Sequence, residues 1–374
     1  MPSQASESFA IAANGLHSDG PAQALRDFLV AKGASVLTIA HPLGRYEGGR
    51  HVIATYEAGR RLTERTVRLP LKPPLSYAVD PFVPLSQPFV DVWFGFNPLA
   101  AARGLASRRL GRARRAVLWS VDFTPDRFGR GLTTRLYDRL DRYCCLHADA
   151  RVELSEAARD ARNARHRVDT PAEIVPMGTW LTRVPTAAAG GQTRRRVAFL
   201  GQLVPEKRID VLLEALTSLD VEADIVGGGP LEDEVRGHVK RLGLGGRVRV
   251  HGFVPDHREV ERILAGASVA VAPYPPAEAT YTRFADPGKL KAYLAAGLPI
   301  VLTDVPPNAR ELEREAGAEI VPYDAAAIAA AIEHALASPE NWRRRHEEAL
   351  AYAKRFDWDV LLADALTRLE INVP

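Results

Sequence analysis

Two lysines in this 374-residue sequence stand beside turns in a pattern suited to holding an anion. Lys289 follows Asp286, Pro287 and Gly288, where Asp286 is a good helix N-cap and Pro287 suits the first helical position. The first turn of a helix presents unpaired N–H groups and partial positive charge, so this helix start and Lys289 together suit a phosphate. An ordinary capped helix that happens to precede a lysine is the alternative.

The stretch after Lys289 predicts the elements that would hold such a site. Leu290, Tyr293, Leu294 and Leu298 recur at helical spacing, and Gly297 followed by Pro299 ends the helix. The apolar run that begins at Ile300 is typical of a strand buried in a parallel sheet. Four strands, most of them ending in a glycine- or proline-containing turn, are predicted upstream, at Val197–Leu200, Asp224–Val226, Val248–His251 and Val269–Tyr274. Lys207 lies in the loop after the first of these strands, before a predicted helix Ile209–Leu216.

In this order and spacing the stretches resemble the C-terminal, nucleotide-sugar-binding domain of GT-B glycosyltransferases of family 4, the group 1 glycosyltransferases. That family carries G-R-L-x-x-x-K-G, V-G-x-G-P-L, G-x-V and D-P-x-K-L-x-E-Y-L-A-x-G-x-P-V-V. The counterparts here are Gly201–Lys207, Val226–Leu231, Gly252–Val254 and Asp286–Val301, and the resemblance is close over residues 197–322. It implies an α/β protein with two Rossmann-like, doubly wound parallel-sheet domains that face each other across a cleft.

The resemblance implies a retaining transferase that takes a nucleotide-diphosphate sugar as its donor and needs no metal or other cofactor. The departing diphosphate would be stabilised by the lysines, by Gln202 and by the helix start. Val254 and its neighbours would line the base pocket. The residues expected to bind the donor are Gly15, Gly201, Gln202, Lys207, Val254, Asp286, Pro287, Gly288 and Lys289.

Three departures from the family pattern fall on donor contacts. The family has two glutamates eight positions apart, and here those positions hold Phe284 and Ala292. The family arginine after the first glycine is replaced by Gln202. A carboxylate that accepts two ribose hydroxyls is a strong and oriented contact that alanine cannot make. Glu278 and Asp286 are the candidates to replace the missing carboxylates, whereas a solvated loop residue and a simple N-cap are the alternatives.

Candidates for chemistry in the first half stand at predicted strand ends. Asp122 follows the predicted strand Ala116–Val121, where family relatives often carry an H-D pair facing the donor sugar. We therefore predict Asp122 and Glu278 as the catalytic residues, although Asp122 also suits a loop cap. Arg127 and Arg130 follow Asp122 and suit an acceptor phosphate. Asn97 follows another predicted strand. It is either a residue of the ligand-binding cleft or the N-cap of the next helix.

The charge of the chain is divided unevenly along its length. Residues 1–190 carry a net charge of +8 and residues 191–374 carry −5. A basic acceptor-side domain suggests an anionic acceptor, either a sugar or a lipid-linked one, or an anionic membrane surface. Six arginines between Arg103 and Arg115 suggest a basic amphipathic helix that contacts such a membrane, with a solvated helix face as the alternative. No aromatic platform accompanies them, which argues against nucleic acid.

Composition predicts a cytoplasmic protein, peripheral at most to the inner face of a membrane. No apolar run is long enough to span a bilayer, and the polar start does not resemble a signal peptide. The adjacent Cys144 and Cys145 do not suit a disulfide. The predicted domains are residues 1–181, a linker 182–196, the donor domain 197–340, and helices 341–374 that cross back to the first domain.

The sequence thus predicts a glycosyltransferase, and two alternatives stay open. Loss of both family glutamates is also typical of a catalytically inactive GT-B protein that binds a nucleotide sugar or serves a partner transferase. A sugar-nucleotide epimerase on the same fold is the third possibility.

Overall fold

The computed structural model describes residues 7–15, 20–42, 49–69, 71, 75–187, 194–276 and 282–374. The chain forms two compact units, one made of Met1–Pro176 with Asp359–Pro374, and the other of Met177–Trp358. Each is built on a twisted sheet with helices packed against it, so the predicted α/β class is confirmed.

The first unit contains an eight-stranded sheet in the order β4-β3-β2-β1-β5-β6-β7-β8. Strands β2, β1, β5, β6, β7 and β8 run parallel, whereas β3 and β4 form an antiparallel hairpin at one edge. Its elements are β1 Ser8–Asn14, α1 Pro21–Ala31, β2 Ser35–His41, β3 Arg50–Glu57, β4 Arg60–Arg68, two 3₁₀ turns at Leu75–Ala78 and Asp80–Phe82, β5 Val90–Gly95, α2 Pro98–Arg109, β6 Ala113–Trp119, α3 Leu132–His147, β7 Ala150–Glu153, α4 Glu156–His166 and β8 Glu173–Ile174.

The second unit contains an all-parallel sheet of six strands in the order β11-β10-β9-β12-β13-β14. This is the Rossmann order, in which the direction of winding reverses between the first and fourth strands. Its elements are β9 Arg196–Leu200, a 3₁₀ turn Pro205–Lys207, α5 Asp210–Thr217, β10 Glu222–Val226, α6 Glu232–Arg241, β11 Val248–Gly252, α7 His257–Ala265, β12 Val269–Ala272, α8 Gly288–Ala295, β13 Ile300–Leu302, α9 Ala309–Glu315, β14 Glu319–Ile320, α10 Ala325–Leu336, α11 Pro339–Ala353, a 3₁₀ turn Lys354–Phe356 and the start of α12 Trp358–Arg368.

The units divide at other residues than those expected from the sequence. Residues 177–187 pack within the second unit, where Arg183 pairs with Glu261 and the Ala187 N–H donates to the Ala296 carbonyl. Helix α11 also belongs to the second unit, because Trp342 donates to the Ser268 carbonyl beneath it. Only residues from 359 onward return to the first unit.

The two chain passages between the units lie side by side. Thr179 and Asp357 form a parallel bridge in which the Thr179 N–H donates to the Phe356 carbonyl and the Trp358 N–H donates to the Thr179 carbonyl. Gly178 packs so closely on the Trp358 ring that a Cβ there would lie 2.6 Å from it.

The arginines between 103 and 115 do not share one helix, so that prediction is wrong. Helix α2 ends at Arg109, and Arg114 and Arg115 lie on β6. Arg103 is buried and donates to the Pro81 and Pro84 carbonyls. Arg115 donates to the Leu369 and Glu370 carbonyls. Gly111, with a positive φ, ends the helical stretch by a turn, and this removes the helix on which the membrane hypothesis rested. None of the helices in the described ranges is long and apolar enough to cross a bilayer.

Candidate functional site

The C-terminal ends of β9 and β12 form the point where winding reverses in the second sheet. Open parallel sheets bind ligands in the crevice at such a point, because loops leave in opposite directions there. Gly201 follows β9, Tyr274 lies just beyond β12, and helix α8 begins at Gly288 with Lys289 in its first turn. The sequence therefore folds to bring three of its predicted motifs to one crevice.

Lys289 lies at the centre of this crevice. Its Nζ lies 4.8 Å from the centre of the Phe199 ring and 4.3 Å from the centre of the Tyr274 ring. A Cβ on Gly201 would lie 3.7 Å from the same nitrogen. Among the described side chains, no carboxylate forms an ion pair with Lys289. The ammonium group is therefore held by two aromatic faces, and an anion is the partner that this arrangement lacks.

Burial, together with the nearby positive charge of Lys207, lowers the pKa of Lys289 to about 7. Lys207 ends the 3₁₀ turn Pro205–Lys207 and is half-buried. The positive charge of Lys207 disfavours the protonated form of Lys289, and an anion bound beside Lys289 would favour that form. The two lysines predicted from the sequence thus lie close enough for the charge of one to act on the other.

Glycines let the loops around the crevice approach each other. A Cβ on Gly227 would clash with the Gly201 carbonyl, and a Cβ on Gly229 would clash with the Leu203 carbonyl. Both glycines have a positive φ, at 137° and 156°. The Leu203 N–H donates to the Gly228 carbonyl at 3.0 Å, which fixes the β9 and β10 loops to each other. The V-G-x-G-P-L motif is thus used for close backbone packing beside the lysines.

Asp286 is not an N-cap, so that prediction is wrong. Pro287 is the N-cap of α8, and Gly288 is its first residue. The Asp286 carboxylate is buried and accepts hydrogen bonds from Met177 N–H at 2.7 Å, Lys291 Nζ at 2.8 Å and Asn308 Nδ2 at 3.2 Å. With these partners it holds the segment before α8 in place rather than presenting itself to a ligand.

Lys291, which sequence reasoning missed, is 1% exposed and also lies 3.8 Å from the centre of the Phe356 ring. Its burial could have been predicted from its position between the apolar helix positions Leu290 and Tyr293. Phe199 and Tyr274 were missed as well, since nothing in linear spacing links two strand-end aromatics to a lysine on a later helix.

The other predicted donor contacts lie at the edge of the crevice or outside the described residues. Gln202 is exposed, Ala292 is half-buried on α8, and Val254 is half-buried after β11. Its neighbour Phe253 is 62% exposed and packs beside Gly228. Glu278 lies outside the described residues.

The first sheet has its own reversal point, between β1 and β5. Asn14 ends β1, and Asn97 follows β5 as the N-cap of α2. The Asn97 amide donates to Asn14 Oδ1 at 2.7 Å, and its oxygen accepts the Ala100 N–H at 2.9 Å. Asn97 is thus a cap that also ties the two strand ends together. Gly15, with a φ of 107°, donates its N–H to the His41 carbonyl at 2.9 Å.

Asp122 lies in a loop whose backbone is held by hydrogen bonds from Arg162 and Ser120. Its carbonyl accepts from Arg162 Nη2 at 2.8 Å and from Ser120 Oγ at 2.9 Å. Arg162 is 2% exposed. The Asp122 carboxylate is 47% exposed and pairs with Arg127. Arg130, which follows later in the same loop, is exposed. Two hydrogen bonds therefore anchor the backbone of this loop, while its charged side chains are exposed.

A cavity of about 380 Å³ lies on the first sheet beside Gly15 and the start of α1. Arg26, Arg50 and Arg61 line it together with Tyr56 and Glu64. Three arginines against one carboxylate make its lining net positive.

Residues 194–338 match the family model described as glycosyl transferases group 1. The second unit is a group 1 glycosyltransferase domain. The crevice with Lys207 and Lys289 lies within the matched residues of this glycosyltransferase domain.

Solved structures resemble the whole chain. Sucrose-phosphate synthase from Thermosynechococcus elongatus has a TM-score of 0.72 at 17% identity, covering 96% of this chain and 98% of that one. Anabaena HepE in complex with UDP has a TM-score of 0.67 at 16% identity, covering 96% and 100%. A glycosyltransferase from Rickettsia africae has a TM-score of 0.67 at 11% identity, covering 98% of both chains. At such identities the likeness shows the fold, which is GT-B.

A stretch of 99 residues is 34% identical to the maltose/maltodextrin import ATP-binding protein MalK of Vibrio vulnificus, covering 26% of each chain. The match thus spans about a quarter of the length of this curated relative. This sequence contains no G-x-x-x-x-G-K-[ST] phosphate-binding loop, so the match brings no nucleotide-hydrolysing motif with it.

Proposed function

We propose that this protein is a glycosyltransferase that binds a nucleoside-diphosphate sugar in the crevice of its second unit and transfers the sugar to an acceptor. The observation that carries the proposal is the position of Lys289, a desolvated cation between Phe199 and Tyr274 with Lys207 nearby. A diphosphate supplies the missing negative charge, and the N–H groups at the start of α8 add to its binding. HepE, which has the same fold, binds UDP, so UDP is the first donor nucleotide to test.

In the proposed reaction the chain's own cations stabilise the leaving group. As the bond between the sugar and the diphosphate breaks, negative charge accumulates on the phosphate oxygens, and fixed cations in a dry site stabilise that charge. Phe253 is proposed to stack on the base, and Asp122 to bind a hydroxyl of the transferred sugar. Retention of configuration and independence from metal belong to this proposal.

Replacing Lys207 with alanine is expected to lower turnover by about 100-fold or more, because one of two cations on the leaving group is lost. Thermal shift with UDP, GDP, ADP and TDP identifies the nucleotide beforehand, since a ligand at about 100 times its Kd stabilises by about 2.7 kcal/mol. The exposed Lys240 on α6 provides the matched control, Lys240→Ala. Unchanged turnover in Lys207→Ala with an active wild type would remove this role.

Donor binding is expected to weaken as the pH rises above 7. The pKa of Lys289 is about 7 without ligand, and a bound diphosphate raises it. Between these two values the free protein must take up a proton on binding, so Kd rises by up to about tenfold per pH unit. Titration with an intact nucleotide sugar between pH 6 and 9 measures this. Lys289→Arg keeps its charge throughout and is expected to flatten the profile; a wild-type Kd independent of pH would contradict the assignment.

For the acceptor, we propose an anionic molecule that binds the first unit. The arginine-lined cavity beside Gly15 and the net charge of +8 over residues 1–190 support this. Comparison of phosphorylated and neutral sugar acceptors under single-donor conditions tests it.

A second candidate function, donor binding without transfer, is favoured by Ala292 and Phe284 in place of the family glutamates. Nucleotide binding that depends on Lys289, with no sugar transfer to any acceptor class and no donor hydrolysis, would establish it. An epimerase would instead convert the donor sugar without an acceptor.

A further inference from the structure

We propose that the first unit holds a divalent metal ion of the zinc type on His41, His51 and Asp80. These three side chains are 2%, 0% and 1% exposed, and their ligand atoms all lie within 4.8 Å of one another. Among the residues that the structure describes, these three form the cluster of His, Cys, Asp or Glu side chains that is close enough to hold a metal ion. The proposal does not depend on the function assigned to the second unit.

The register of the sheet places the two histidines opposite each other. Strands β2 and β3 pair antiparallel with Ile39 opposite Ile53 and Ala40 opposite Val52, so the next pair is His41 with His51. His41 alternates along β2 with the buried Ile39 and therefore points to the core. The Nδ1 atoms of the two rings come within 2.9 Å of each other. This contact is a hydrogen bond that satisfies one nitrogen of each ring, whereas His51 Nε2 has no hydrogen-bond partner among the described residues. An ion bound between the two Nδ1 atoms would take the place of the shared proton.

Asp80 opens a 3₁₀ turn and brings a carboxylate to the same point. Its Oδ2 accepts from Asn14 Nδ2 at 3.2 Å, whereas its Oδ1 has no hydrogen-bond partner among the described residues and lies 3.8 Å from His51 Nδ1. The nearby Arg103 donates instead to the Pro81 and Pro84 carbonyls and to Gln87 Oε1. One oxygen of a fully buried carboxylate is thus left aimed at the histidine pair.

The spacing of these atoms suits a tetrahedral ion. With metal–ligand bonds near 2.0–2.1 Å, ligand atoms in a tetrahedral site lie about 3.3 Å apart. The observed 2.9 Å between the imidazole nitrogens and 3.8 Å to the carboxylate oxygen lie on either side of that value. Two imidazoles with one carboxylate suit zinc.

The ion would tie together three segments that are distant in sequence. It joins the end of β2, the start of the β3–β4 hairpin and the turn at Asp80. Through Asp80 it also reaches Asn14, which Asn97 holds at the reversal point of the first sheet. We therefore assign it a structural role in the first unit, not a step in sugar transfer.

The test uses the full chain without a histidine tag, loaded with Zn²⁺ or Co²⁺ and passed through a desalting column. We expect one equivalent of metal per chain, visible absorption typical of four-coordinate cobalt(II), and a melting temperature that falls when a chelator removes the ion. Asp80→Asn keeps the shape of the side chain and removes the charge. Its affinity for Co²⁺ is expected to fall by more than the ~10–100-fold that loss of an outer-shell partner costs. His147→Gln, which changes an exposed histidine of the same unit, serves as the control and keeps the metal.

A wild-type chain that retains no metal and whose melting temperature ignores Zn²⁺ would overturn the proposal. An Asp80→Asn chain that binds Co²⁺ as tightly as the wild type would do so too. Should Asp80→Asn fail to fold, the chelator-dependent melting of the wild type decides alone, since an ordinary neutral histidine pair gives no shift.

Discussion

Lys289→Met is expected to abolish nucleotide binding while leaving the unliganded protein at least as stable as the wild type. Methionine keeps an unbranched side chain against the Phe199 and Tyr274 rings but carries no charge. At pH 6 the wild-type ammonium is charged, desolvated and repelled by Lys207, all of which weaken the folded state. Loss of the cation at a diphosphate is expected to lower turnover by about 10²–10³-fold.

Two measurements on the same variant distinguish this role from a structural one. Thermal melting without ligand reports the stability of the second unit, and the shift on adding the nucleotide reports binding. Lys240→Met, on the exposed face of α6, is expected to change neither. A loss of unliganded stability in Lys289→Met, with binding retained in the folded fraction, would show that Lys289 is a packing residue.

Removing either partner of the buried Asp286–Lys291 pair is expected to be the most destabilising charge change in the second unit. The carboxylate and the ammonium are 7% and 1% exposed and lie 2.8 Å apart. Loss of one partner of such a pair costs about 3–5 kcal/mol, because the other charge stays buried without compensation. In a unit of this size that lowers the melting temperature by about 10 °C.

The double variant provides the sharper comparison. Asp286→Asn with Lys291→Met removes both charges. The new amide oxygen can still accept the Met177 N–H, and its NH₂ group can donate to Asn308 Oδ1, which is unpartnered among the described residues, once the Asn308 amide turns over. Its melting temperature is expected to lie above that of Lys291→Met alone, since replacing both charges of a buried pair is often close to neutral. Nucleotide affinity of the folded protein should persist in it. A selective loss of affinity with unchanged melting would return Asp286 to the donor site.

The sequence was sufficient for the parts of the protein that local patterns determine. Strand and helix order in the second unit, the turns at Gly227 and Gly229 and the helix start beside Lys289 all follow from apolar spacing and from glycine and proline positions. The resemblance to the family motifs identified Lys207 as a second candidate residue of the site. These features depend on neighbours in sequence, and so they can be read without coordinates.

The predictions that were wrong or missing concern contacts between segments distant in sequence. Asp286 looks like an N-cap by position, yet its partners Met177 and Asn308 come from other loops. The arginines after Arg103 look like one amphipathic face, but Gly111 breaks the helix. The pair of His41 and His51 became visible only through strand register, and the Phe199 and Tyr274 rings around Lys289 only through sheet order. Charge and periodicity carry no information on such pairings.

The side-by-side chain passages at Thr179 and Asp357 bear on how the protein is made. The second unit, Met177–Trp358, is one uninterrupted insertion within the first, so all of it can fold as it leaves the ribosome. The first unit cannot complete its folding until the C-terminal residues have been synthesised. The Arg115 guanidinium donates to the carbonyls of Leu369 and Glu370, and Leu362 and Leu366 of the last helix are buried. During synthesis the second unit is therefore complete while the first unit still lacks its last helix.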